Sequence, residues 1–215
     1  MGMKQAIVLV HGFNVSDKGK RSIGQLLEPL QDKLPGVDVS RFGYKYTFVG
    51  RLAYRNKRAS DRLAQFLSRL HWWEDFDLIT LVAHSNGAVV ADLAIKKSRV
   101  PAQLVAINPA LRTRHAFADS WEKIMVLYSR CDWALIAGRV WSAAVRVLPW
   151  RWFRPHPWGT MGRVGYKGTD GRLINVRLSC SMGHSGALSP ETVTADLIAQ
   201  AVNRYRLEFD RPAPD

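Results

Sequence analysis

The stretch FDLITLVAHSNGAVVADLAIKK, residues 76–97, constrains the fold more than any other part of the chain. Residues 76–82 form a nearly unbroken apolar run. A strand with one wet face alternates, so this run reads as a strand buried on both faces. A helix over 87–97 follows at once, with Lys96 and Lys97 in its last turn, the favourable end for cations. A buried strand that passes straight into a helix is half of a crossover unit. Such units build parallel sheets covered by helices.

The same alternation recurs along the chain. Residues 5–10, QAIVLV, read as a second doubly buried strand. Over 22–34, Ile23, Leu26, Leu27, Leu30 and Leu34 keep helical spacing until Pro35-Gly36 ends the run. A strand is expected over 37–46. An amphipathic helix is expected over 56–70, with Ala59, Leu63, Phe66, Leu67 and Leu70 on one face. Further strands are expected over 103–107, halted by Asn108-Pro109, then over 123–128 and 173–178. The last helix is expected to open at Ser189, with Pro190 and Glu191 in its first turn. Val193, Leu197, Ile198, Ala201, Val202 and Tyr205 would form its core face. The tail 210–215 is polar and Pro-rich. Together these predict an α/β fold: one domain over residues 1–215, with a mostly parallel central sheet and helices on both faces.

Composition fits that picture. Of 215 residues 47% are apolar, enough for a well-buried core and against wholesale disorder. The 31 basic residues against 18 acidic give +13, which attracts polyanions. Arginine is spread evenly and no nucleic-acid-binding motif is present, so no specific nucleic acid is expected. The two cysteines, Cys131 and Cys180, are too few for a disulfide framework and match no zinc spacing. They end neighbouring late strands and could pair, but free thiols in a reducing compartment are the favoured expectation. No secretory leader and no membrane-length apolar stretch is found, so a cytoplasmic location is expected.

Chemistry enters at Ser85. The segment Ala83-His84-Ser85-Asn86-Gly87 is the small-x-Ser-x-Gly pattern of a nucleophile elbow, set between a strand and a helix. The flanking residues must be small because the turn is tight, and the helix aims its amides at the serine. A serine nucleophile needs a base, and the base an orienting acid, in the chain order Ser, Asp or Glu, His. Asp132 follows the fifth expected strand and His184 the sixth. His11, His71, His84 and His115 precede Asp132, His156 lies in an insertion, and Asp119 and Asp170 lie at the wrong strand ends. His11-Gly12-Phe13 after the first strand lets the amide of Phe13 join that of Asn86 as an oxyanion donor. His11 itself is expected to be structural.

With HGF after the first strand, the AHSNG elbow, Asp132 and His184, the chain resembles the α/β-hydrolase family over nearly its whole length, and in particular small bacterial or phage-type members. Ala83 replaces the usual first elbow glycine, and the family's first antiparallel strands are expected to be missing. The resemblance implies acyl-enzyme chemistry on a small ester, with thioesters, amides or acyl transfer as variants, and no cofactor or metal. The alternative from another class is a non-catalytic basic protein that binds nucleic acid or an anionic surface on the same scaffold.

Residues 133–167 break the rhythm. Five of the eight tryptophans lie here (Trp133, Trp141, Trp150, Trp152 and Trp158), with Arg139, Arg146, Arg151 and Arg154 between them. Tryptophan favours apolar–water boundaries and arginine pairs with anionic head groups. Two readings stand level: a lid-like insertion that touches substrate or anionic lipid, and a segment whose rings pack on the domain.

Overall fold

The three least polar runs of the sequence become interior strands. These are β1 (Gln5–Val10), β3 (Leu78–His84) and β4 (Ala102–Ile107), each buried at every position. The computed structural model describes residues 3–13, 17–44, 52–147 and 158–209, with backbone only for 52–55, 141–147 and 205–209. β2 (Asp38–Phe42) forms one edge of the sheet, with only Val39 and Phe42 buried. β5 (Trp121–Tyr128) and the mostly exposed β6 (Leu173–Arg177) complete the other side. The order is β2-β1-β3-β4-β5-β6, and every neighbouring pair is parallel. All six carboxyl ends therefore meet at one rim, where loops are free to carry chemistry.

Helices cover both faces. α2 (Leu52–Trp72) and α3 (Gly87–Ser98) pack on one face, through Leu63, Leu67, Val90 and Ala94 against Val8, Leu81 and Leu104. α1 (Leu27–Lys33), entered through a 3-10 turn (Ile23–Leu26), and α6 (Thr194–Phe209) pack on the other. There Leu30, Ile198 and Val202 meet Ile7, Leu9, Val82 and Val105. Alternate residues of one strand thus feed two separate cores. Asp92, buried on α3, ties that helix to the start of β5: its carboxylate accepts from Trp121 Nε1 (2.9 Å), the Ala118 amide (3.0 Å) and His115 (2.9 Å), and pairs with Lys96 (2.8 Å). Burial pushes this carboxyl up, but the hydrogen bonds of His115, Lys96 and Ala118 outweigh it and hold it down at about 2.

The expected elements are present, with shifted ends. β3 starts two residues later than expected because the Phe76 amide bonds Leu70 O and belongs to the exit turn of α2. It runs on to His84, and the Ser85 amide continues its ladder to Ile107 O at 2.9 Å. β2 stops at Phe42. Tyr44 leaves the sheet to stack on His11, ring centroids 3.9 Å apart. The last helix opens at Thr194, not Ser189. Residues 189–192 close their own turn, in which both the amide and the hydroxyl of Thr192 bond Ser189 O, and Val193, expected in the core, is 53% exposed. The Trp/Arg insertion contains α4 (Trp133–Val147) and α5 (Met161–Val164). Residues 45–46, 148–157 (with Trp150, Arg151, Trp152, Arg154 and His156) and the tail 210–215 lie outside the described residues, as do the side chains of Trp141 and Arg146. No helix among the described residues is long and apolar enough to cross a membrane.

Candidate active site

Ser85 sits at the turn between β3 and α3 with φ +52°, a left-handed backbone that a non-glycine residue rarely adopts. Two glycines make room for the turn. A Cβ on Gly87 would lie 2.5 Å from Val10 O and 2.6 Å from His11 O. A Cβ on Gly12 would lie 3.0 Å from the Ser85 Cβ. Gly12 of the His11-Gly12-Phe13 loop thus packs directly against the serine. Asn86, the other expected oxyanion donor, opens α3. Its buried side chain exchanges two hydrogen bonds with Asn56 of α2, at 2.9 and 3.1 Å, so the peptide that follows Ser85 is locked to a neighbouring helix.

Asp132 and His184 meet. His184 Nδ1 lies 2.7 Å from Asp132 Oδ2. A carboxylate only accepts, so Nδ1 carries the proton and Nε2 is left as the basic nitrogen. Asp132 is fully buried, and its other oxygen accepts the Leu135 amide at 3.2 Å, capping α4. One side chain therefore starts a helix and orients the imidazole. Among the described residues no hydrogen bond joins Ser85 Oγ to the His184 ring. The link between the two is the residue beside the serine: His84 Nε2 bonds His184 O at 3.0 Å, with the two rings 4.7 Å apart.

No family model matches this sequence, and no curated protein matches it. Solved structures do. A serine hydrolase of the α/β class without a lid, from Xanthomonas campestris, is 14% identical, with a TM-score of 0.55 over 100% of this chain and 86% of its own. Est1E from Butyrivibrio proteoclasticus, seen with ferulic acid bound, is 15% identical, with a TM-score of 0.54 over 96% of this chain and 89% of its own. Carboxyl esterase 2 from Tuber melanosporum is 12% identical, with a TM-score of 0.53 over 97% of this chain and 79% of its own. The chain has the α/β-hydrolase fold. Within that fold the described sheet contains no antiparallel strand, in line with the short version expected from the sequence.

One expectation about this α/β-hydrolase fold is overturned. Cys131 and Cys180 are not free thiols: they form a disulfide, Cα–Cα 5.0 Å. The reason is register. Tyr128 of β5 pairs with Arg177 of β6, so residues three places beyond each strand end come face to face. The bond joins the residue before Asp132 to the loop that leads to His184. A cavity of about 310 Å³ is lined by Arg130, just before Cys131, and by Arg163, Val164 and Lys167. Part of the +13 charge is therefore concentrated next to the acid, where anions are attracted.

The rival histidines have other partners. His11 is fully buried, its Nδ1 donating to Gly12 O (2.8 Å) and its Nε2 accepting the Tyr44 amide (3.2 Å), a structural role. His71 contacts Phe76 O, and His115 pairs with Asp92. Asp170 grips Arg172 at the entry to β6, far along the strand from the rim. No group of His, Cys, Asp and Glu side chains suited to a metal occurs among the described residues. The sequence reading missed Asn56, Asn108, and the contact that His84 makes. His84 lies in the elbow, Asn108 just after a strand and Asn56 within α2, but their partners are 30 to 100 residues away.

Proposed function

We propose that this chain is a serine hydrolase that cleaves carboxylic esters through an acyl-enzyme, with Ser85 as nucleophile, His184 as base and Asp132 as orienting acid. The observation that carries the reading is the Asp132–His184 bond at 2.7 Å, formed at the same rim as a strained Ser85. The two residues, 52 positions apart, meet where β5 and β6 end side by side.

In this mechanism Ser85 Oγ attacks the ester carbonyl as His184 Nε2 takes its proton. Asp132 stabilises the imidazolium that results. The amides of Asn86 and Phe13 hold the oxyanion; one such donor is typically worth about 100- to 1000-fold in turnover. The alcohol leaves with a proton from His184. Water, activated by the same ring, then releases the acid. The ferulate-binding and carboxyl-esterase likenesses support an ester as substrate. A fluorophosphonate should label the wild-type chain at Ser85 and leave Ser85→Ala unlabelled. A panel of p-nitrophenyl esters then reads acyl length. Labelling of Ser85→Ala at the wild-type rate refutes the assignment.

A further inference from the structure

The loop that carries His184 is held from inside by two side chains to which no motif gives a role. His84 Nε2 donates to the His184 carbonyl at 3.0 Å. Asn108 Nδ2 donates to that same carbonyl and to the carbonyl of Gly183, each at 2.9 Å. His84 is the last residue of β3, directly before Ser85, and Asn108 is the first residue after β4. We propose that His84 and Asn108 are positioning residues for the base: they tie the His184 backbone to the two strands that frame Ser85, so that nucleophile and imidazole share one rigid reference. The proposal rests on reading the site as a Ser-His-Asp hydrolase.

The chemistry of each group fits this role better than simple packing. Two carbonyls converge on one end of the Asn108 amide, so that end must be the NH2. Its oxygen is buried and has no hydrogen-bond partner among the described residues. A core selected only for packing would not keep such an atom; here it accompanies two donations to one loop. Asn108 also has φ +45°, a backbone that asparagine tolerates better than other side chains. A neutral imidazole has a single N–H, and the carbonyl of His184 requires it on Nε2. Burial pushes the His84 ring down to about 3, so it stays uncharged and does not oppose protonation of the base beside it. Asp132 orients the ring of His184, but only a tie to the backbone holds its Cα. A base displaced by about 1 Å loses on the order of 100-fold in rate.

The test compares full-length wild type, His84→Leu, His84→Gln, Asn108→Asp and Ser85→Ala. The readouts are fluorophosphonate labelling rate, kcat and KM on p-nitrophenyl acetate, and the melting temperature. His84→Leu is expected to lower labelling and kcat about 10- to 100-fold while KM stays within about twofold. His84→Gln, whose amide nitrogen reaches the place of Nε2, is expected to recover most of that loss. Asn108→Asp keeps the shape and the left-handed backbone but cannot donate, and is expected to fall like His84→Leu. A folded His84→Leu with wild-type kcat, or an equal loss in His84→Gln and His84→Leu, overturns the proposal. If His84→Leu does not fold, wild-type kcat in Asn108→Asp overturns it, and a loss of about 10-fold at unchanged KM supports it. Full turnover in Ser85→Ala would instead remove the hydrolase reading. A dead Ser85→Ala beside wild-type His84 and Asn108 variants removes the positioning role alone.

Discussion

The Ser85 turn and the loops of Asp132 and His184 lie at the same rim but are built in different ways. Ser85 is placed by a fully buried strand before it, α3 after it, and two glycines on which a Cβ would lie 2.5–3.0 Å from neighbouring atoms. Asp132 and His184 sit on partly exposed loops. They are held by a disulfide, one buried carboxylate and two donors from other strands. The first region is set by close backbone packing inside the core. The second is a set of long-range ties, each of which can be cut singly. The difference predicts that damage to the turn removes the reaction, whereas damage to the ties degrades it by steps.

The largest effect is expected at the turn. Ser85→Ala should lower kcat by about 10⁶-fold, to the level set by binding and the oxyanion amides. Next comes the strongest tie. Asp132→Asn keeps the shape but offers His184 the wrong tautomer, and should cost about 10⁴-fold in kcat. If kcat survives within about tenfold, Asp132 is a helix cap and no more.

A smaller effect is expected from the disulfide. A bond that closes 49 residues stabilises by about 4 kcal/mol on the chain-entropy model. The Cys131→Ser/Cys180→Ser variant should unfold at lower urea, and its kcat should fall about tenfold. Hydrogen exchange should rise over 129–132 and 178–188 while β3 and α3 stay protected. Equal loss of protection in both regions would erase the contrast drawn above.

The remaining effect, on stability and not on the reaction, is electrostatic. The folded His84 takes a proton only near pH 3, whereas its ordinary value is 6.5. Between those values the unfolded chain binds more protons, so stability falls as pH falls. The slope is about 1.4 kcal/mol per pH unit for one such group. Asp92 acts in the same direction but lower: its contribution is present above its ordinary 3.8 and is lost as pH drops toward about 2. His84→Leu should therefore flatten the urea midpoint between about pH 4 and 6 and leave the steeper loss below that window. His11, also lowered by burial, keeps a residual slope. An unchanged slope in His84→Leu would show that His84 titrates normally.

Much of this was legible in the residues. QAIVLV and FDLITLV read as buried strands and QLVAI as a further strand, and A-H-S-N-G after one of them marked the turn. Asp132 and His184 were chosen from the expected order Ser, Asp, His and their places after the fifth and sixth strands, and the structure brings those two together at 2.7 Å. The start of the last helix was misread because Ser189, Pro190 and Glu191 carry good opening signals, yet Thr192 folds its hydroxyl back onto Ser189 O and closes a separate turn. The free-thiol expectation rested on the small number of cysteines, which says nothing about register.

By itself the sequence determined the parallel α/β sheet, its two cores and the strained serine, because each depends on burial and sterics acting within a few residues. Only the tertiary structure decided that Cys131 meets Cys180, that Asn56 locks Asn86, and that His84 and Asn108 carry the backbone of the base. Those contacts join residues 30 to 100 positions apart, and their hydrogen bonds and covalent bond exist only where strand order and register bring the partners within about 3 Å.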